Sequence, residues 1–181
     1  MTPARTPPRT GVYPGSFDPV TVAHLHVAEA AVARCGLDRL DLTISVTTLG
    51  KDDGRLSPTE DRLAALHELA DRRPWLGVRT TPQSLLADIA VGYDVVVLGA
   101  DKWHQLLDPS WYGSAERRDE ALRRLPLLAL APRPPWTLPG QDPGADPPCD
   151  LAVVVLDTDP AHHPVSATAV RDGRHEWRAR P

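Results

Sequence analysis

Apolar residues fall along this chain in two alternating patterns: unbroken runs of strand length, and stretches in which they return every three or four positions. Strand-length runs lie at residues 10–13, 40–47, 76–80, 94–98, 127–131 and 151–156. Between the first two, a helix is predicted over 21–35, with Leu25, Ala28, Val32 and Cys35 on one face and Gly36 as its natural stop. The next helix carries the clearest local start signal in the chain: Ser57 as N-cap, Pro58 at the first helical position and Glu60 three residues after the cap. Leu63, Leu66 and Leu69 continue its inward face. A short helix is predicted over 84–91, ended by Gly92, and residues 102–124 read as two helices broken by Asp108-Pro109 and Gly113. Ser166 caps a last helix that runs to Asp172. Strands alternating with helices predict an α/β fold, a doubly wound parallel sheet in a single domain with both faces covered. Residues 132–148, dense in proline with Gly140 and Gly144, fit neither a helix nor a central strand. A strand-like run follows at once, so they read as a long surface loop within the domain.

In such a sheet, ligands bind beyond the carboxyl ends of the strands where the strand order reverses. The first strand feeds a turn at Gly15 and the fourth feeds Gly99-Ala100-Asp101, so both turns are expected to open onto one crevice.

Composition narrows what that crevice holds. A chain of 181 residues can bury a core without disulfide or metal staples. A formal charge of −4 and a pI near 5.9 argue against a protein that grips nucleic acid by its phosphates, but leave small anionic ligands open. Cys35 and Cys149 form neither a metal spacing nor a disulfide framework, which suits a reducing cytoplasm. Residues 1–9 carry proline, threonine and arginine without an apolar run and are expected to be a disordered extension, neither signal peptide nor membrane anchor. No apolar stretch approaches the roughly 20 residues that span a bilayer.

The candidate chemistry begins at the first strand. Gly11-Val12-Tyr13-Pro14-Gly15-Ser16-Phe17-Asp18-Pro19-Val20-Thr21-Val22-Ala23-His24 runs from strand through glycine turn into a helix with a histidine in its first turn. Backbone N–H groups of the Gly15-Ser16 turn and of the helix start form an expected anion cradle, favoured by the helix dipole. This string resembles the signature of the nucleotidylyltransferase superfamily, a G-x-F-D-P turn followed by a T-x-G-H or H-x-G-H tetrad. Thr21 gives the tetrad the form of pantetheine-phosphate adenylyltransferases, while Ala23 stands where the family has a glycine close to the nucleotide.

Near the C-terminus, Val165-Ser166-Ala167-Thr168-Ala169-Val170-Arg171 resembles the I-S-S-T-x-I-R motif of nicotinate and nicotinamide mononucleotide adenylyltransferases, with Ala167 in place of a serine. Gly99, Asp101 and Trp103, with Trp111 downstream, resemble the G-x-D segment and tryptophan of the same enzymes.

The resemblance implies a Rossmann-like fold and a transfer in which an acceptor phosphate attacks the α-phosphorus of a nucleoside triphosphate, most directly ATP, and releases pyrophosphate. It further implies His24, Thr21 and Arg171 as catalytic groups, and Gly15, Ser16, Phe17, Asp18, Gly99, Asp101, Ser166 and Thr168 around the nucleotide and its phosphates. Lys51, Trp103 and Trp111 are expected at the acceptor, with each tryptophan also readable as structural. Arg62 reads as a structural ion-pair partner, and His26 and the pair His162-His163 as surface residues. Mg²⁺ is expected to bridge the phosphates without a dedicated protein cage, in a cytoplasmic enzyme with room for a homo-oligomer. Other phosphorylated acceptors, with CTP as donor, and a nucleotide-binding regulator that no longer turns over are the alternatives.

Overall fold

The computed structural model describes residues 7–46 and 56–181. Each predicted strand run pairs into one sheet of six parallel strands: β1 (Thr10–Pro14), β2 (Arg39–Ser45), β3 (Leu76–Thr81), β4 (Val95–Gly99), β5 (Leu127–Ala131) and β6 (Val153–Val155). Their order is β3-β2-β1-β4-β5-β6, so the sheet is laid out in both directions from β1 and reverses between β1 and β4. The helices are α1 (Val22–Cys35), α2 (Thr59–Ala70), α3 (Leu86–Ile89), α4 (Ala100–Leu107), α5 (Ala115–Arg123) and α6 (Ala167–Arg171).

Alternation along the strands divides the core into two layers. Leu40, Leu42 and Ile44 of β2 face Leu25, Ala28 and Ala31 of α1 and Leu66 and Leu69 of α2. On the other face, Val12, Val96, Leu98, Leu128 and Leu130 meet Trp103 and Leu106 of α4 and Leu122 of α5. Gly36 ends α1 in the left-handed region at φ 60°, which costs a glycine little.

Four local differences from the sequence reading bear on the site. Ser57 does not cap α2; Pro58 takes that position without a side-chain bond, and the Ser57 N–H instead donates to Asp18 Oδ2 at 3.0 Å. The helix expected over 84–91 contracts to the four residues of α3. The segment 132–148 is not wholly a surface loop, because Leu138 and Ala145 are buried and Trp103 Nε1 donates to the Ala145 carbonyl at 2.8 Å. At the N-terminal end, Arg9 N–H donates to Asp38 Oδ2 at 2.7 Å; residues 1–6 lie outside the described part. No helix among the described residues is long and apolar enough to cross a membrane.

Candidate active site

The turn after β1 is set by sterics as much as by hydrogen bonds. A Cβ at Gly15 would lie 2.8 Å from Phe17 Cζ, so only glycine lets the Phe17 ring fold back under the turn. Phe17 itself is held at φ 46°, a left-handed conformation unusual for a bulky residue. Its ring sits edge-on to Tyr13, with centroids 5.6 Å apart, and to His24 at 5.2 Å. Phe17 is 2% exposed, and its ring packs against the histidine. The expected cradle is also narrower than the sequence suggested, because the Gly15 N–H is already donated to the Thr43 carbonyl at 3.1 Å.

Thr21 and His24 form a reciprocal cap at the start of α1. The His24 N–H donates to Thr21 Oγ1 at 3.4 Å, and the Thr21 N–H donates to His24 Nδ1 at 3.0 Å. A backbone N–H can only donate, so Nδ1 is an acceptor and the ring proton of neutral His24 sits on Nε2. Burial, and then the nearby Arg133 guanidinium, push its pKa down from 6.5 to about 4. The imidazole is therefore neutral at physiological pH, with one N–H donor. Thr21 is fully buried, and its hydrogen bonds go to His24.

Asp18 ties three segments together. It is 3% exposed, accepts the Ser57 N–H, and lies 3.7 Å from the Arg171 guanidinium. Arg171 Nη1 also donates to the Asp18 carbonyl, and its Nη2 donates to Thr168 Oγ1 at 3.1 Å. Ser166 caps α6 by accepting the Ala169 N–H at 3.0 Å. The two motifs from opposite ends of the chain thus meet through Asp18 and Arg171.

Across the strand reversal, Gly99 leads into α4, and a Cβ there would lie 2.5 Å from Asp101 Oδ1. Asp101 faces Arg133 Nε at 3.8 Å, both partly exposed. Arg133 was missed from the sequence, although it follows β5 by two residues and the rule that placed Asp101 at a strand's carboxyl end applies there equally. A cavity of about 280 Å³ opens between these ends, lined by Gly15, Ser16, His24, Arg62, Gly99, Asp101, Arg133 and, farther out, Thr43, Ser84, Trp111 and Tyr112.

Other expected residues sort clearly. Trp111 borders the cavity and is 40% exposed, as a stacking platform requires. Trp103 is fully buried against the 132–148 segment, the packing of a structural tryptophan, and does not line this cavity. Arg62 is buried, and its guanidinium donates to the carbonyls of Ser57 (3.1 Å) and Ser16 (2.9 Å) and to Thr59 Oγ1 (2.9 Å); it clamps the turn through these bonds, where an ion pair was expected. His26 is no free surface residue, since its Nε2 accepts the Asp159 N–H and its ring stacks on His162. Lys51 lies outside the described residues.

A doubly wound sheet whose reversal point carries a histidine donor, arginines and capped helix starts places the chain in the Rossmann-like α/β class, with a ligand crevice at that point. The sequence profile described as cytidylyltransferase-like matches residues 12–173, and the chain belongs to that family within the nucleotidylyltransferase superfamily. A probable nicotinate-nucleotide adenylyltransferase of Parvibaculum lavamentivorans is 31% identical over 142 residues, 72% of this chain and 67% of that protein. A phosphopantetheine adenylyltransferase of Bradyrhizobium is 48% identical over 63 residues, 35% of each chain. The chain spans about a third, 34%, of the length of the first curated relatives it matches. Among solved structures, the Plasmodium falciparum nicotinic acid mononucleotide adenylyltransferase complexed with NaAD superposes with a TM-score of 0.65 at 15% identity, over 91% of this chain and 83% of that one, which establishes the fold.

Proposed function

We propose that this protein transfers a nucleoside monophosphate, AMP from ATP in the first instance, to nicotinate or nicotinamide mononucleotide, releasing pyrophosphate. The observation that carries this reading is His24, fixed as an Nε2–H donor at the wall of the cleft beyond β1 and β4, in a molecule whose two terminal motifs dock through Arg171 and Asp18.

In the transfer, an oxygen of the acceptor phosphate forms a bond to the α-phosphorus while the bond from that phosphorus to the α,β-bridging oxygen breaks. The departing oxygen stays with pyrophosphate. Such a reaction needs alignment and charge stabilisation, with little proton chemistry from the protein. His24 Nε2–H donates to an α-phosphate oxygen as charge builds there. Arg171 and Thr168 anchor the leaving phosphates, and Arg133 offsets repulsion between two phosphates brought together. Trp111, with Leu86 and Ile89 on the apolar side of the cleft, offers a face for the acceptor's planar ring. Among the described residues no cluster of three metal-ligating side chains exists. Mg²⁺ would arrive with the triphosphate rather than in a cage of protein side chains, and would supply neutralisation of phosphate charge.

Pantetheine phosphate is the second reading, supported by the Thr21-type tetrad and by the similarity to phosphopantetheine adenylyltransferases. Pyrophosphate release, measured with Mg²⁺ and four triphosphates against a panel of phosphate monoesters, separates the two. Release that requires ATP and a nicotinate or nicotinamide mononucleotide is the expected result. Release with pantetheine phosphate alone would replace the acceptor, and triphosphate binding without release from any pair would overturn transfer in favour of a regulator.

A further inference from the structure

One peptide group at the start of α1 is held from both sides. Its N–H, that of Thr21, donates to His24 Nδ1 at 3.0 Å, and the Thr21 hydroxyl reaches the same nitrogen at 2.9 Å. Its carbonyl, that of Val20, accepts the Ala179 N–H at 3.0 Å, from the segment that follows α6. A peptide group is planar and rigid, so a bond on its carbonyl fixes where its N–H points. Val20, Thr21 and Ala179 are all buried, and water does not compete for these bonds.

The chain is steered to this point by its own local structure. At the end of α6 the Arg174 N–H closes back on the Ala169 carbonyl at 2.9 Å and turns the backbone. One 3₁₀ turn over His175–Trp177 follows, with the Arg174 guanidinium 5.2 Å from the centroid of the Trp177 ring. Arg178 then lies extended, at φ −66° and ψ 131°, and pairs with Thr21 in an isolated antiparallel bridge. That pairing sets the Ala179 N–H against the Val20 carbonyl.

We infer that Ala179 is a positioning residue for nucleotidyl transfer, acting through its backbone alone: its N–H locks the Val20-Thr21 peptide so that His24 Nδ1 stays an acceptor and Nε2–H stays the donor presented to the cleft. The inference rests on the nucleotidyl-transfer reading above. The relay runs from the Ala179 N–H to the Val20 carbonyl, from the Thr21 N–H to His24 Nδ1, and from His24 Nε2–H into the cleft. Each bond polarises the next, because drawing electron density toward the Val20 oxygen makes the Thr21 N–H a better donor. Without the first bond the Val20 carbonyl is buried and unpaired, a condition native structures rarely tolerate, and it regains a partner only by turning the peptide. Turning the peptide takes the Thr21 N–H off Nδ1. The Thr21 hydroxyl that remains beside Nδ1 can accept as well as donate, so it does not choose the tautomer, and Nδ1 then competes for the ring proton. Replacing side chains one by one with alanine would miss this control, since residue 179 is already alanine and contributes no polar side-chain atom.

Nuclear magnetic resonance of the ligand-free protein reads the relay without relying on turnover. Scalar couplings across hydrogen bonds are expected between the Ala179 amide nitrogen and the Val20 carbonyl carbon, and between the Thr21 amide nitrogen and His24 Nδ1. Absence of either, in wild-type spectra that resolve the corresponding couplings along α1, overturns the inference. Ala179→Pro removes the N–H, and an extended Arg178 accepts a following proline. In that variant His24 is expected to show mixed neutral tautomers and to titrate at least about half a pH unit higher than in the wild type. Its kcat is expected to fall at least about tenfold while the triphosphate KM stays within about twofold. Ala179→Gly, which keeps the N–H and drops only the methyl, is expected to keep the wild-type tautomer. Should Ala179→Pro fail to fold, a stop codon after Arg178 removes the same donor. A His24 tautomer and titration that do not move when the donor is lost overturn the inference whatever happens to kcat, and so does a kcat within about twofold of wild type when they do move. A wild type that releases no pyrophosphate from any pair sinks the transfer reading alone, and the His24 signals then decide the relay.

Discussion

One nitrogen of His24 is occupied by its own helix cap, and this decides what the other can do. With Nδ1 accepting the Thr21 N–H, a neutral ring carries its proton on Nε2, toward the cleft. The proposed role needs a donor that is present without being charged, and a pKa of about 4 provides it. Nitrogen-detected NMR on the free protein at pH 6 is expected to show His24 as the neutral Nε2–H tautomer; an imidazolium there would contradict the geometry. His24→Ala is expected to lower kcat at least about a hundredfold, the effect of removing one transition-state donor, with the circular-dichroism spectrum unchanged. Arg171 plays a different part. Its removal takes a cation from the proposed pyrophosphate site, so Arg171→Ala is expected to raise the triphosphate KM more than it lowers kcat. An unchanged KM would confine Arg171 to holding Asp18.

At the scale of elements, the start of α2 is bound to the phosphate turn by Arg62. Its guanidinium donates to the partly buried carbonyls of Ser57 and Ser16, and Arg62→Ala removes both bonds. Loss of hydrogen bonds to a charged group of this kind costs about 1.5–3 kcal/mol, so urea denaturation should show a stability loss near 2 kcal/mol. The triphosphate KM is expected to rise with it, because the Ser16 turn loses its brace.

The same region shows what the sequence could reveal. Helix α1 and strand β5 were readable because periodicity, Gly36 and the length of the apolar run are local signals. The start of α2 was misread for a non-local reason: the Ser57 N–H is claimed by Asp18, 39 positions upstream. The motif histidine was visible as a residue type, but the burial of Thr21 and the packing of Phe17 beneath His24 depend on contacts that no spacing encodes. Asp41 makes the same point within a strand. A carboxylate in mid-β2 is 2% exposed because Arg39 and Arg79 pair with it and the Tyr93 hydroxyl donates to it at 2.8 Å, all brought together by sheet register.

For the whole molecule, the two ends of the chain close on one another at the site. Besides the bond from Arg171 to Asp18, the Ala179 N–H donates to the Val20 carbonyl at 3.0 Å, and Thr21 bridges to Arg178. Folding and assembly of the site are therefore one event, and global stability should register the protonation of His24. Its folded pKa of about 4 lies below the ordinary 6.5, so between those values the unfolded chain binds a proton that the native state refuses. The contribution is present above about pH 6.5 and is lost as pH falls toward 4, by up to about 1.4 kcal/mol per pH unit. Tyr93 works in the opposite sense on the alkaline side. Burial, and then its bond to Asp41, raise it to about 12, so its contribution holds below its ordinary value of 10 and is lost as pH climbs through 12. Unfolding free energies measured across this range should form a plateau with both shoulders sloping down. His24→Ala should flatten the acid shoulder and Tyr93→Phe should reduce the alkaline one, to which Tyr13, its hydroxyl also raised by burial, contributes as well, whatever each does to the height of the plateau. An acid slope that survives His24→Ala undiminished would mean that the cap does not hold the ring neutral in the folded protein.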